Sequence, residues 1–370
     1  MEQNDNLSLA GQMIGLTRCA VNGEIPGAEL CTLSDPDGLF RLCQRHSLTA
    51  CAAYALESAG VRLPVFTEAK EKAIRKNILL DAERKKILSR LEAAGIWYLP
   101  LKGALLKDWY PRLGMRQMSD NDILFDPARR ADVRQIMESL GFICEHYGSG
   151  YNDAYAKKPV CYFEMHCALA SKAKTPELFA YYEDVARLLL PDPASEYGRQ
   201  MRDEDFCIFV TVHAYKHFTS GGTGIRSLLD DYIMRRHFGD SLDRDYMRAE
   251  MKKLGVLDYA EQTGSLAEKL FTGQPLDSKE EQLLQGFLCA GTYGTKETAV
   301  RQQIEKAGNS RLRYVLRRIF PPLEYVRLYY PFYAKHPLLL PVLWITRPIR
   351  ALFRRRAALS AELRTLLHRK

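Results

Sequence analysis

Two carboxylates entering an apolar run constrain this chain more than any other feature: Ser119-Asp120-Asn121-Asp122 leads into Ile123-Leu124-Phe125. Side chains at i and i+2 of a strand lie on one face, about 7 Å apart along it. Held so rigidly, Asp120 and Asp122 can share a divalent metal. The plainer reading is a pair of turn carboxylates accepting from nearby backbone amides. The segment Val160 to His166 favours the metal, because Tyr162, Glu164 and His166 share one strand face while Cys161, Phe163 and Met165 share the other. A lone Glu164 among Tyr, Phe, Met and Cys is costly without a metal or a partner. Asp120, Asp122 and Glu164 therefore form a candidate ligand set for two Mg²⁺ ions, or Mn²⁺ in their place. Such ions bind triphosphate oxygens, activate an attacking hydroxyl and stabilise a leaving pyrophosphate.

The pair lies in a succession of short elements. Ile96 to Leu101 reads as a strand, Lys102-Gly103-Ala104 as a turn into a short helix ending near Tyr110-Pro111, and Asn121 to Phe125 as the next strand. Pro127 opens a helix that stops at Gly141, and Phe142 to Cys144 is a short strand. Residues 148–158, rich in Gly, Asn, Asp and Lys, read as a hairpin loop before the strand carrying Glu164. Upstream lie short amphipathic helices over 6–60 and one long helix from Thr67 to Ala94, with Gly95 just past its end. Downstream of Ser171 the pattern is helical: Asp203 to Phe218, Gly224 to Phe238, Asp243 to Leu254, and stretches from 257 to 290. The expected fold class is α+β, a small mixed β-sheet core over 96–170. It is flanked by an N-terminal helical segment (1–95), a helical domain (171–310) and a basic tail (311–370).

Composition excludes several classes. A chain that is 46% hydrophobic and 26% charged is not wholesale disordered. Its 9 cysteines include no CxxC pair, which points away from zinc and disulfide frameworks and towards reduced core thiols of a cytoplasmic protein. The first residues are acidic and polar, unlike a signal peptide, and no apolar run approaches the roughly 18–20 residues of a spanning helix. The net charge of +8 is uneven: residues 311–370 hold 14 Lys/Arg against 2 Glu, net +12, leaving −4 on the other 310. That tail suits nucleic acid, phosphate or an anionic membrane surface, which would make the protein peripheral to the membrane; it also reads as a solvated helical extension. Pro331, Pro337, Pro341 and Pro348 argue against one continuous helix before Ile349.

Other residues join the candidate site with alternatives open. At Lys102-Gly103 the glycine lets the backbone approach a phosphate and the lysine supplies a point charge; the P-loop pattern is absent. Arg116 lies over a triphosphate or pairs with Asp122. His213 and His217, at i and i+4, form a polar cluster with Asp230 or Asp231, contact nucleotide or acceptor, or bind a metal. Arg226 pairs with Asp230 one turn on or reaches the phosphates. His166 orients a metal ligand, takes part in acceptor deprotonation, or is simply a packed hydrogen-bonding residue.

Taken together, a Lys-Gly turn, a small helix ending in Tyr110, Gly114-x-Arg116 and Ser119-Asp120-x-Asp122 entering a strand resemble the uncharacterised bacterial nucleotidyltransferase family of the polymerase-beta superfamily. Phe163-Glu164-Met165-His166 resembles its third-carboxylate strand. His213 to Phe218, Gly222 to Arg226 and Asp230 resemble its helical-domain signature. The resemblance runs from about 70 to 330. Ala104 departs from it, standing where many members have a phosphate-binding serine. The resemblance implies Mg²⁺-dependent transfer of a nucleoside monophosphate from an NTP to a small-molecule, protein or RNA acceptor. It implies metals on Asp120, Asp122 and Glu164, and nucleotide contacts from Lys102, Gly103, Arg116, Ser119, His217 and Arg226. Alternatives are an RNA- or protein-modifying toxin or antiviral enzyme, and a non-catalytic nucleotide-binding scaffold in a polysaccharide or peptide-modification pathway.

Overall fold

A computed structural model describes residues 8–148, 150–172, 175–292, 294, 300, 303–304, 308 and 310–354. They fall into two compact units, the first made of the described residues up to Tyr215 with Ile225–Leu284, the second of Lys216–Gly224 with those from Gln285 onwards.

In the first unit the sheet holds β1 (Tyr98–Leu101), β2 (Asn121–Phe125), β3 (Ile143–His146), β4 (Asn152–Lys157) and β5 (Cys161–His166), in the order β1-β2-β5-β4-β3. Only β2 and β5 run parallel, and the other neighbours are antiparallel. The sheet is therefore mixed, and the fold class is α+β as the alternation of short strands and helices predicts. Strand periodicity assigns its two faces. Tyr98, Ile123, Phe125, Phe163 and Met165 pack against Leu80, Ile87 and Leu91 of the long helix α5 (Pro64–Ala93) and Val133 and Met137 of α7 (Arg130–Ser139). Leu99, Leu101 and Leu124 face the other way, against Phe206, Cys207 and Phe209 of α9 (Asp203–Ser220) and Met234 of α10 (Ile225–Phe238). Asp122, Glu164 and His166 belong by alternation to this second face.

Residues 148–158 depart from the expected loop, because Asn152–Lys157 is the strand β4, paired along its length with β5. Its Gly- and Asn-rich surroundings hide that Tyr155 is fully buried and that β5 offers a whole edge of backbone groups needing partners. Helix α5 starts at Pro64, one turn before the expected Thr67, because proline at the first helical position has the right φ and no amide to waste. Ahead of it lie four helices: α1 (Leu9–Asn22), α2 (Ala28–Cys31), α3 (Pro36–His46) and α4 (Thr49–Ser58). The Ser8 and Asp35 side chains cap α1 and α3 by accepting from Gly11 and Gly38 amides. The short α6 (Gly103–Leu106) follows β1, and α8 (Pro176–Tyr181) follows β5. After α10 come α11 (Arg244–Lys253), α12 (Leu257–Thr272) and α13 (Ser278–Ala290).

In the second unit the Phe218 and Phe287 rings meet at 5.4 Å. Its later helices are α14 (Arg311–Ile319), α15 (Leu323–Tyr329), α16 (Pro331–Lys335) and α17 (Leu340–Arg354). The prolines interrupt this stretch only in part. Pro331 and Pro337 begin separate pieces, yet α17 runs through both Pro341 and Pro348. Pro341 sits in the first turn, where its missing donor costs nothing, and Pro348 forfeits a single backbone bond. Among the described residues no helix is long and apolar enough to cross a membrane.

Candidate active site

Strand register builds the site. Across the parallel pair Asp122 stands opposite Glu164 and Leu124 opposite His166, while on the other side Leu101 stands opposite Asp122 and delivers Lys102. Ligand atoms of Asp122, Glu164 and His166 all lie within 4.8 Å of one another, the group of that kind found among the described residues. His166 Nε2 is 2.8 Å from Asp122 Oδ1 and 3.5 Å from Glu164 Oε2. Carboxylates only accept, so Nε2 carries the proton. Lys102 Nζ donates to the same Asp122 oxygen at 2.9 Å and to His213 Nε2 at 3.2 Å. An ammonium has no lone pair to offer, so His213 is unprotonated at Nε2. Asn152, on β4, donates to Glu164 Oε2 at 2.9 Å, and the Tyr151 ring lies 5.5 Å from that of His166.

The electrostatics follow from this packing. Burial would push the Asp122 carboxyl up, but the Lys102 ammonium and the His166 proton overcome it and hold Asp122 well below the usual carboxylate range. Burial likewise opposes charge on His166, yet its bonds to Asp122 and Glu164 raise its pKa. The His166 bond lowers Glu164, against its burial. The sign of one consequence is fixed. Charged His166 contributes stability that is fully present below about pH 6.5, its unfolded pKa, and lost as pH rises through the raised folded value. Urea unfolding of the metal-free protein should show stability falling as pH rises from about 6.5 through the raised folded value, by at most ~1.4 kcal/mol per pH unit for one proton. His166→Gln should lack that slope, and an unchanged slope in the variant would refute the assignment.

Lys102 reaches Asp122 from a backbone that favours glycine: its φ is 47° and ψ −115°. For a lysine this costs about 1–3 kcal/mol and is the kind of strain found at functional sites. The next residue must be Gly103, since a Cβ there would lie 2.3 Å from Arg116 Nη1. Helix α6 has only 4 residues, so its macrodipole is small.

Several expected residues lie elsewhere. Arg116 neither covers the carboxylates nor pairs with Asp122. It is buried, with Nε 2.7 Å from Asp230 Oδ1 and Nη2 3.0 Å from Asp230 Oδ2, and Tyr110 completes the group with a 2.7 Å bond to Asp230. A buried guanidinium takes the carboxylate that satisfies both of its edges. Arg226 donates to the Gln117 carbonyl at 3.0 Å and ties down the loop before β2. Asp120 stands just outside the converging group, half-buried, accepting from Ser119 Oγ at 2.6 Å. His166 takes the place in that group expected for Asp120. Of the two helix histidines, His213 reaches the cluster through Lys102, whereas His217 falls in the second unit. The place of His166 on the face of Glu164 is legible in the alternation of β5. That of Asn152 was hidden with its strand, and no local signal marks Asp230 as the partner of Arg116.

Two carboxylates on adjacent rigid strands suit a hard divalent ion, their charge now balanced by the Lys102 ammonium and the His166 proton. Fold and cluster together define an α+β protein with a buried acidic centre able to hold a metal. Over residues 32–272 the chain matches the family described as uncharacterised nucleotidyltransferase, and it belongs to that family. No curated protein and no solved structure matches it. Membership makes nucleotidyl transfer, which draws on an NTP, its activity at family level.

Proposed function

We propose that this protein transfers a nucleoside monophosphate from an NTP to an acceptor hydroxyl or phosphate in a reaction that depends on a divalent metal. The acceptor oxygen bonds to the α-phosphorus as the bond to pyrophosphate breaks. The observation that carries this reading is the convergence of Asp122, Glu164 and His166 beside the Lys102-Gly103 turn, in a chain of this family. Asp122 and Glu164 hold the metal, with Asp120 joining them from the same strand face; two Mg²⁺ ions, or Mn²⁺, fit the proposal. When bound, such an ion neutralises triphosphate charge and eases deprotonation of the attacking hydroxyl.

The chain's own groups do the rest. Lys102 neutralises Asp122 in the resting site and, on its flexible stem, exchanges that carboxylate for a phosphate oxygen. Gly103 keeps the backbone open to the triphosphate. Ser119 orients Asp120, while Asn152 and His166 orient Glu164. Arg116 acts through Asp230 as a positioning residue: it fills the space beneath Gly103 and so fixes the turn.

Calorimetric titration of each NTP with Mg²⁺ or Mn²⁺ tests the proposal. Saturable binding that EDTA abolishes is expected, along with a preference among the bases. Absence of binding for every nucleotide and both metals would overturn it.

A further inference from the structure

We propose that the helices of the second unit dock onto an anionic lipid bilayer, lying on its surface. The claim rests on where apolar area is left uncovered. Of the 20 large apolar side chains exposed among the described residues, 11 lie between Leu312 and Ile349. Leu338 is 93% exposed, Leu312 70% and Ile345 63%. They recur at helical spacing: Leu312 and Leu316 are i and i+4 on α14, where Tyr314 is buried. Val342, Ile345 and Ile349 are i, i+3 and i+7 on α17, where Leu343 is buried. Each helix therefore keeps one apolar residue inside and presents an aliphatic stripe outside, the reverse of an ordinary surface helix. The two are fixed to each other: Arg347 Nη1 donates to the Arg318 carbonyl at 2.8 Å, and Trp344 meets Phe320 edge-on at 5.1 Å.

Charge identifies the occupant. Residues 311–354 carry 9 Lys/Arg against the single Glu324. Basic residues interleaved with exposed Leu, Ile and Val match the headgroup boundary of an anionic leaflet, where acyl chains receive the aliphatic groups and lipid phosphates the cations. Nucleic acid satisfies only half of this, since aliphatic side chains gain nothing from a phosphate backbone. A spanning mode is excluded for the described residues, whose helices are too short or too polar to cross. The proposal does not depend on the reaction assigned to the first unit.

Flotation of the full chain with phosphatidylcholine vesicles, with and without phosphatidylglycerol, tests it. The protein should float with the anionic vesicles, stay largely unbound with the neutral ones, and bind more weakly as salt rises. Leu312→Ser/Leu316→Ser/Ile345→Ser changes exposed positions only, so its melting curve should match wild type while its partition coefficient falls about tenfold or more. Arg317→Glu/Arg318→Glu should weaken binding to the anionic vesicles. Failure to float with anionic vesicles overturns the proposal. So does wild-type flotation by the triple-serine variant, which would reduce the contact to simple charge adsorption. Salt-steep RNA binding, or a dimer lost in the serine variant, would overturn it in favour of another occupant if vesicles are not bound.

Discussion

Asp122→Asn should eliminate metal-dependent nucleotide binding and lower turnover by about a thousandfold or more, because the neutral amide is a poor ligand for a hard divalent ion. The same substitution should also cost stability. Asp122 is buried and receives both the Lys102 ammonium and the His166 proton on one oxygen. Removing its charge leaves cations without their counter-ion, a loss on the order of 3 kcal/mol. A site carboxylate on an otherwise indifferent strand would be replaceable with the fold untouched; this one is not. Adding Lys102→Met to Asp122→Asn should therefore restore much of the stability and none of the turnover. Urea unfolding and pyrophosphate release measure the two arms separately. Full activity in Asp122→Asn would end the proposed function, and a single variant as stable as wild type would refute the ion-pair account of the resting site.

Arg116→Met should lower the unfolding free energy by roughly 3–5 kcal/mol, the cost of leaving a buried carboxylate unpaired. Its partner Asp230 is as deeply buried and also accepts from Tyr110. Arg116→Met/Asp230→Leu should recover a large part of the loss, since paired removal leaves no orphaned charge. The alternative, in which Arg116 grips triphosphate, makes the opposite forecast: a raised KM for NTP with unfolding unchanged. Denaturation curves beside steady-state kinetics on wild type and the two variants decide between them.

These two residues also show where reading the chain succeeds. Local periodicity is enough to place Asp122 and Glu164 on strands, to turn both towards the same kind of face, and to put a Lys-Gly turn next to them. Those features are set by backbone geometry over a few residues, and β2 falls on Asn121–Phe125 as the apolar run predicts. The failures share a cause. Strand β4 looks like a loop because half of its reason for being a strand is the edge of β5. The carboxylate that Arg116 meets is invisible locally because it lies 114 residues away; Lys102 finds His213 across 111.

The sequence by itself determined most of the elements, the α+β class and the strand faces of Asp122 and Glu164, because strand and helix periods are properties of neighbouring residues; the parallel pairing that sets the two carboxylates opposite each other is tertiary. Only the tertiary structure decided which charge neutralises which. An i, i+4 contact between Arg226 and Asp230 on an exposed helix is worth a few tenths of a kcal/mol. Burying Asp230 beneath the turn makes any unpaired charge there cost several, so packing chose Arg116 for Asp230. It likewise set Lys102 against Asp122.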